Sequence, residues 1–303
     1  MRLIKPSFSI WDQQEGLEGI YKQIERAGRV CYKSEDKITE DSAKDFVDRM
    51  IKLGHGAMLE HGTIYLIIDC SGRLLDVANK YVNNKYSEWT LHPDGVHYCI
   101  TTNYRVLLQN GWLDDLQYLC EPTEYHEKRV TVHFVCDRGV SHEYVRHRVF
   151  SFAQESTRYC NYSKDKFQGV TYIQPPWLDG DISNEDGSKF NDVYTDIYLH
   201  TLTTAENAYL DLLKQWDNKV PDKRFKSGYK NNPWTPQQAR AVLPNSLKTE
   251  LVMTGFVSDW EHFFKLRDAG SAHPQARELA HPLHMEFLRR NYLVDLYDEA
   301  NPD

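Results

Sequence analysis

No apolar run in this chain approaches the roughly 20 residues that a membrane-spanning helix requires. The start, MRLIKPSFSI, lacks the long apolar segment of a secretory signal, so the chain is expected in the cytosol. Cysteine is sparse: six in 303 residues (Cys31, Cys70, Cys99, Cys120, Cys136, Cys160), none in a C-x-x-C pair. That scatter argues against a disulfide framework or a zinc knuckle and predicts reduced, partly buried thiols. Basic residues are outnumbered, 36 Lys and Arg against 44 Asp and Glu, and the net charge of -8 excludes a surface that grips nucleic acid or anionic membrane over its whole extent. A local basic pocket stays open. Glycine-rich loops of the G-x-G-x-x-G and G-x-x-x-x-G-K-[ST] kinds are also absent, so a nucleotide would have to be held by side chains. There is no internal repeat and no low-complexity tract.

What is present, 41% hydrophobic residues over this length, can bury one substantial core or two small ones. Residues 16–27 and 42–53 carry apolar side chains at helical spacing, the second after Thr39-Glu40-Asp41, which offers N-capping side chains. His61 to Cys70 is β-branched and aromatic enough for a strand. Residues 72–125 predict short helices around GRLLDVANKYV and WLDDLQYLC and a turn at His92-Pro93-Asp94-Gly95, and read as an insertion. Lys128 to Cys136 alternates as a strand. Val140, Tyr144, Val145 and Val149 then mark one side of a helix that should fail near Ser151. A third strand is expected over Gly169 to Ile173, an exposed acidic loop over Asp179 to Ser188 and a long helix from about Asn191 to Trp216. A short helix should open at Thr235-Pro236. A strand is expected over Leu247 to Val257, then helices from Ser258 toward Arg267 and from about Pro274 to Leu296. Strands and helices without regular βαβ alternation indicate an α+β fold, a central mainly antiparallel sheet with helices packed on it.

The densest chemical segment is Arg146-His147-Arg148-Val149-Phe150-Ser151-Phe152-Ala153-Gln154-Glu155-Ser156-Thr157-Arg158. Three guanidiniums stand close together in an acidic chain, and a planar, permanently charged fork matches phosphate oxygens. On a helix Arg146 and Arg148 would lie about 200° apart and could serve two anions. Gln154, Ser156 and Arg158 alternate, so in an extended segment they would point one way and offer an amide, a hydroxyl and a cation. The plain alternative, a solvated arginine face paired with carboxylates, suits any single member better than the whole set. His61 and His262, taken alone, are more often structural imidazoles. Arg240 and Arg267 sit beside apolar residues, where a charge must find a partner, and an ion pair is the rival explanation for each. His142 and His147 are one residue too far apart for a zincin helix, about 140° around the axis rather than about 40°. His281 and His284 share a face but lack a third ligand, so no metal is expected.

Arg146-His147-Arg148, seven residues, Ser156, one residue, Arg158 resembles the signature motif of the flavin-dependent thymidylate synthase family. Similar blocks follow family order: Leu59-Glu60-His61, Ala239-Arg240-Ala241-Val242-Leu243-Pro244, and Trp260-Glu261-His262-Phe263 leading to Leu266-Arg267, with His273 soon after. The resemblance runs from about residue 16 to 290 and is thinnest over the insertion. It implies one domain over residues 1–303 with an insertion at about 71–127, assembled as a homotetramer with active sites between subunits. It also implies reductive methylation of dUMP to dTMP, with 5,10-methylenetetrahydrofolate as carbon donor and NADPH as reductant through bound FAD. Carried over residue by residue, His61, Arg146, His147, Arg148 and His262 would contact FAD, while Gln154, Ser156, Arg158, Arg240 and Arg267 would hold dUMP. Arg158 and Arg240 would take the phosphate. Arg267 and Ser156 would be the catalytic pair: Arg267 stabilises negative charge on the uracil ring, and Ser156 serves as a binding hydroxyl, since nothing adjacent reads as its general base. Phe256 and Ser258 stand where many members have Asn and Arg that help hold FAD, which implies a different grip on the adenosine end.

Two other classes compete. A nucleic-acid module would use Arg146, Arg148 and Arg158 with Phe150, Phe152 and Tyr159 as stacking faces, against the net charge. A scaffold without FAD would rest on Phe256 and Ser258 alone.

Overall fold

Two short strands that the sequence reading passed over open the chain, β1 (Arg2–Ile4) and β2 (Ser7–Trp11). The computed structural model describes residues 1–69, 71, 74–178, 193–214 and 233–293. The expected amphipathic helices follow as α1 (Gly16–Tyr32) and α2 (Ser42–Lys52). Lys33, at φ +48°, ends α1 in the left-handed cap conformation and returns its N–H to the carbonyls of Arg29 and Val30. The capping expected from Thr39 to Asp41 is corrected: Asp41 makes no side-chain cap bond, and the Ser42 hydroxyl accepts from the Thr39 N–H instead, at 2.9 Å. A one-turn helix α3 (Gly56–Leu59) then leads into β3 (Thr63–Asp69).

The 72–125 stretch holds α4 (Leu74–Val82), β4 (Glu88–Leu91), β5 (His97–Asn103) and α5 (Tyr104–Asn110), then a 3₁₀ turn over Leu113–Tyr118 in place of the expected helix. The turn at His92 to Gly95 joins β4 and β5 as a hairpin, with Gly95 at φ +73° and Asp94 Oδ1 accepting from the Val96 N–H at 2.9 Å. Strand β4 escaped the pattern reading because every residue of this edge strand is exposed, so no alternation marks it.

Next come β6 (Arg129–Asp137), α6 (Arg138–Tyr144), β7 (Ser151–Gln154), β8 (Thr171–Ile173) and α7 (Val193–Leu213). They are followed by α8 (Pro236–Ala239), β9 (Lys248–Phe256), α9 (Val257–Arg267) and α10 (Pro274–Arg289). The acidic loop expected at Asp179 to Ser188 lies outside the described residues. Helix α10 stops before Leu296 because Asn291 turns to φ +54° and the Tyr292 N–H closes back on Phe287 O.

Contacts gather into two units. The larger takes the described residues of 7–135, 142–154 and 250–303. Its four-stranded sheet has the order β2-β6-β9-β7, with Phe8 opposite Phe134 and Ser151 opposite Thr254, both pairings antiparallel. A second, antiparallel sheet has the order β3-β5-β4. Ile20, Ile24, Phe46 and Met50 from the first two helices pack with Ile64, Leu66, Ile100 and Leu107 to make its largest described aliphatic core. Each such burial is worth roughly 1.5–3 kcal/mol. An aromatic cluster of Phe134, Tyr144, Phe150, Trp260, Phe263, Phe264 and Phe287 joins β6, α9 and α10, and the Trp260 indole N–H donates to Val130 O at 3.2 Å. At the end of α9 the Asp268 carboxylate receives His281 and His284 of α10, each at 2.9 Å; these histidines tie two helices together.

The smaller unit takes the described residues of 1–6, 136–141 and 155–249. In it β1 runs parallel to β8, and Leu202 and Tyr209 of α7 pack with Tyr162, Val170, Tyr172 and Ala239. Cys99, Cys136 and Cys160 are buried and Cys31 and Cys120 half-buried, all as free thiols. The α+β class with mainly antiparallel strands and surrounding helices holds, the strands being divided among three sheets. Among the described residues no helix is long and apolar enough to cross a membrane.

Gly255 of β9 lies beneath the Phe150 ring, where an added Cβ would sit 2.5 Å from Phe150 Cδ1. Gly255→Ala is therefore expected to cost about 1–3 kcal/mol by overpacking, read as a lower urea midpoint; an unchanged midpoint would refute the close packing.

Candidate active site

The helix expected to run through the arginine-rich segment ends early. Helix α6 stops at Tyr144, and Arg146, His147 and Arg148 lie in successive turns closed by Arg146 N–H to Glu143 O, His147 N–H to Tyr144 O and Phe150 N–H to His147 O. The helical angle between Arg146 and Arg148 therefore does not apply, His142 and His147 share no helix, and Val149 points to solvent at 65% exposure. The physical reason is tertiary. The last carbonyls of a helix need partners, and here Arg267, from the last residue of α9, donates Nη2–H to the Glu143 carbonyl at 2.9 Å. The Tyr144 hydroxyl meanwhile donates to Ala276 O at 2.7 Å.

Arg267 is held at two further points. Its Nη1 lies 2.6 Å from Glu143 Oε2 and its Nε donates to His147 Nε2 at 3.0 Å. Burial, then the neighbouring Arg267 cation, then His262 hold the His147 pKa down at about 4. The ring is therefore neutral at pH 7. Because Nε2 accepts, its proton sits on Nδ1, which leaves His147 one N–H to offer. The exposed His262 of α9 lies edge-on to His147, ring centres 6.2 Å apart. Arg146 and Arg148 are exposed and neither has a carboxylate partner among the described residues.

His61 is placed differently from its sister histidine. It is 0% exposed, with Nδ1 2.8 Å from the Thr254 hydroxyl, which also pairs with Thr131 Oγ1 at 2.8 Å. Desolvation and the Arg129 cation push its pKa down to about 3, and the Phe152 carbonyl offsets this only in part. Its ring is closed to a ligand in the chain by itself. Arg129 donates to Glu60 O at 3.1 Å and to the Thr63 and Ser151 hydroxyls, and its guanidinium stands over the Phe256 ring, 5.4 Å from the centre. Burial lowers its pKa to about 10. Phe256 and Ser258 enter α9, with the Phe256 N–H on Asp259 Oδ2 and the Ser258 N–H on Glu127 Oε1, both at 3.2 Å. Arg129 and Glu143 were missed in the sequence: one sat inside an ordinary strand pattern, and the other was weighed only as part of a failed zincin spacing.

Gln154 closes β7, half-buried. The extended row expected through Ser156 and Arg158 is corrected, since the strand ends at Gln154 and Thr157 to Tyr159 form a turn. In the smaller unit Arg158 is exposed and donates Nε–H to Gln237 Oε1 at 2.9 Å, while Arg240 donates to the Thr157 hydroxyl at 2.9 Å. Neither has a carboxylate partner among the described residues. Arg240 and Thr157 line a hollow of about 180 Å³ with Arg138, Ala241, Leu243 and Leu247. The larger unit also has a cavity of about 220 Å³ beside Trp11, Tyr65, Lys128, Arg129 and Tyr292, and none of the residues predicted from sequence lines it. Phe150 is 5% exposed within the aromatic cluster, which removes one of the stacking faces that the nucleic-acid reading needs.

Comparison with known proteins sets this geometry beside established families. A family model described as thymidylate synthase complementing protein matches residues 122–290. The chain is 23% identical over 277 residues to the flavin-dependent thymidylate synthase of Corynebacterium diphtheriae, covering 91% of this chain and 77% of that protein. It is 24% identical over 272 residues to the protein of that name from Corynebacterium aurimucosum, covering 89% and 76%. With the one from Mycobacterium avium the identity is 31% over 153 residues, 50% of this chain and 53% of the relative.

His61 and His147 both carry depressed pKa values, so the unfolded chain takes up their protons first as pH falls. Their contribution to stability is complete above about pH 6.5 and declines by about 1.4 kcal/mol per pH unit for each below it, toward pH 4 for His147 and pH 3 for His61. Urea midpoints at pH 7.5 and 5 should show the loss, and His147→Gln should reduce the difference. An identical difference in that variant would mean that His147 is not buried neutral.

Proposed function

The chain belongs to the thymidylate synthase complementing protein family, and from that membership we propose that it is a flavin-dependent thymidylate synthase, methylating dUMP to dTMP. In the finer reading the flavin is FAD, the carbon comes from 5,10-methylenetetrahydrofolate, the reducing equivalents come from NADPH, and four copies assemble with active sites between subunits. The observation that carries the reading is the Arg267 to His147 contact at 3.0 Å, which joins two sequence blocks 120 residues apart that resemble the family separately.

The residues present fit a flavin dinucleotide. Exposed Arg146 and Arg148, without carboxylate partners among the described residues, suit phosphate oxygens, and the His147 Nδ1–H and the exposed His262 suit a heteroaromatic ring that needs donors at its edge. When bound, FAD supplies the hydride chemistry that this chain's side chains cannot. His61, buried against Thr254, belongs to the same proposal as a support for the flavin side of the site. Gln154 and Ser156 would orient dUMP through amide and hydroxyl bonds, and Arg158 and Arg240 would take its phosphate. Arg267 would donate to a pyrimidine carbonyl and stabilise the negative charge that develops on the ring as carbon is added. No protein nucleophile is required. In balance, dUMP, methylenetetrahydrofolate, NADPH and a proton give dTMP, tetrahydrofolate and NADP⁺.

Tritium release from dUMP labelled at C5 tests this: release should require FAD, NADPH and methylenetetrahydrofolate together, and its absence in the complete mixture would overturn the reading. Arg267→Lys should lower turnover about 100-fold, because an ammonium lacks the planar fork at a site of developing charge; unchanged kinetics would remove Arg267 from the site.

A further inference from the structure

We infer that Glu143 is the positioning residue for Arg267: its carboxylate and its main-chain carbonyl together set the plane of the guanidinium and direct it to a carbonyl oxygen rather than to phosphate. The inference rests on the reading of Arg267 as a dUMP ligand and deepens it. Arg267 is the last residue of α9, and its side chain has four rotatable torsions to fix before the fork can be aimed. Three contacts fix them: Nη1 on Glu143 Oε2 at 2.6 Å, Nη2 on Glu143 O at 2.9 Å and Nε on His147 Nε2 at 3.0 Å. Two come from one residue and flank the end of the fork. Arginine has five N–H donors, so by count one N–H on each Nη remains for a ligand.

The pairing also sorts the arginines by charge. Among the described residues Arg146, Arg148, Arg158 and Arg240 have no carboxylate partner, whereas Arg267 is paired with Glu143. Those four cations suit anionic phosphates. A guanidinium whose charge is largely balanced by an adjacent carboxylate, and whose third neighbour is a neutral imidazole, keeps its directional donors but gains less from a second anion. That is the property needed at a neutral pyrimidine carbonyl, and it keeps phosphate groups of substrate or cofactor from lodging on the wrong arginine. Glu143 acts through Arg267 and is not itself assigned a contact with substrate.

The test compares the FAD-loaded wild-type chain with Glu143→Ala, Glu143→Gln and Arg267→Lys, following tritium release from labelled dUMP, dUMP binding by calorimetry and inhibition by inorganic phosphate. Glu143→Ala should raise the dUMP KM and lower kcat, each about tenfold, the order of loss expected when a half-buried charge-assisted partner is removed. Glu143→Gln, which keeps a side-chain acceptor without the charge, should recover most of kcat yet become at least about fivefold more sensitive to inorganic phosphate. Should Glu143→Ala fail to fold, Glu143→Gln carries the test by itself, and unchanged phosphate inhibition in it overturns the inference. Wild-type turnover that Arg267→Lys impairs but Glu143→Ala leaves at the wild-type kcat and KM also overturns it, leaving the enzyme reading intact. No tritium release by the wild-type chain overturns the enzyme reading and this inference together.

Discussion

A single guanidinium holds the candidate site in shape. Arg267 ends α9, caps the carbonyl end of α6 through Glu143 and fixes the His147 ring through Nε. The Glu143 carbonyl takes that donor beside the Arg146 N–H, so a helix end that the apolar spacing of Val140 and Tyr144 does not announce is satisfied. The interruption puts Arg146, His147 and Arg148 in a loop, where short backbone turns separate the two cations and leave both exposed.

The same contact governs protonation. A neutral imidazole between a buried aromatic wall and a cation is cheap to maintain, and the cation itself disfavours a proton on the ring. His61 shows the same principle more strongly, with full burial and Arg129 nearby, yet its ring faces Thr254 and Thr131 inside the sheet. The two histidines thus share an electrostatic state and differ in their partners. Both rings are buried, His147 at 7% exposure and His61 at 0%; His147 is held by Arg267, and His61 steadies β9, whose residues lead directly into α9 and so to Arg267.

Much of the architecture was legible because burial leaves a period behind. Helices α1, α2, α7 and α9 and strands β3, β6, β8 and β9 stand where apolar spacing and flanking turn residues put them. Strands β1, β2, β4 and β5 did not announce themselves. The first two are short, and β4 is an edge with every side chain exposed, so it has no period to read. In the site, residue types were legible while partners were not. The arginines could be chosen from their clustering, but Glu143 looked like a surface carboxylate and Arg129 like one polar step in an alternating strand.

The amino-acid order by itself determined the α+β class, the family motif and the set of cations available for chemistry, because these depend on local spacing and on side-chain type. The tertiary structure alone decided where α6 stops, what holds each buried histidine and which of the candidate arginines carries a carboxylate. Those outcomes depend on atoms brought together from positions more than a hundred residues apart, as Arg267 and Glu143 are at a separation of 124. Local pattern contains no record of such a contact, because the energy that holds a helix end, a ring tautomer or a fork in place comes from the partner and not from the segment.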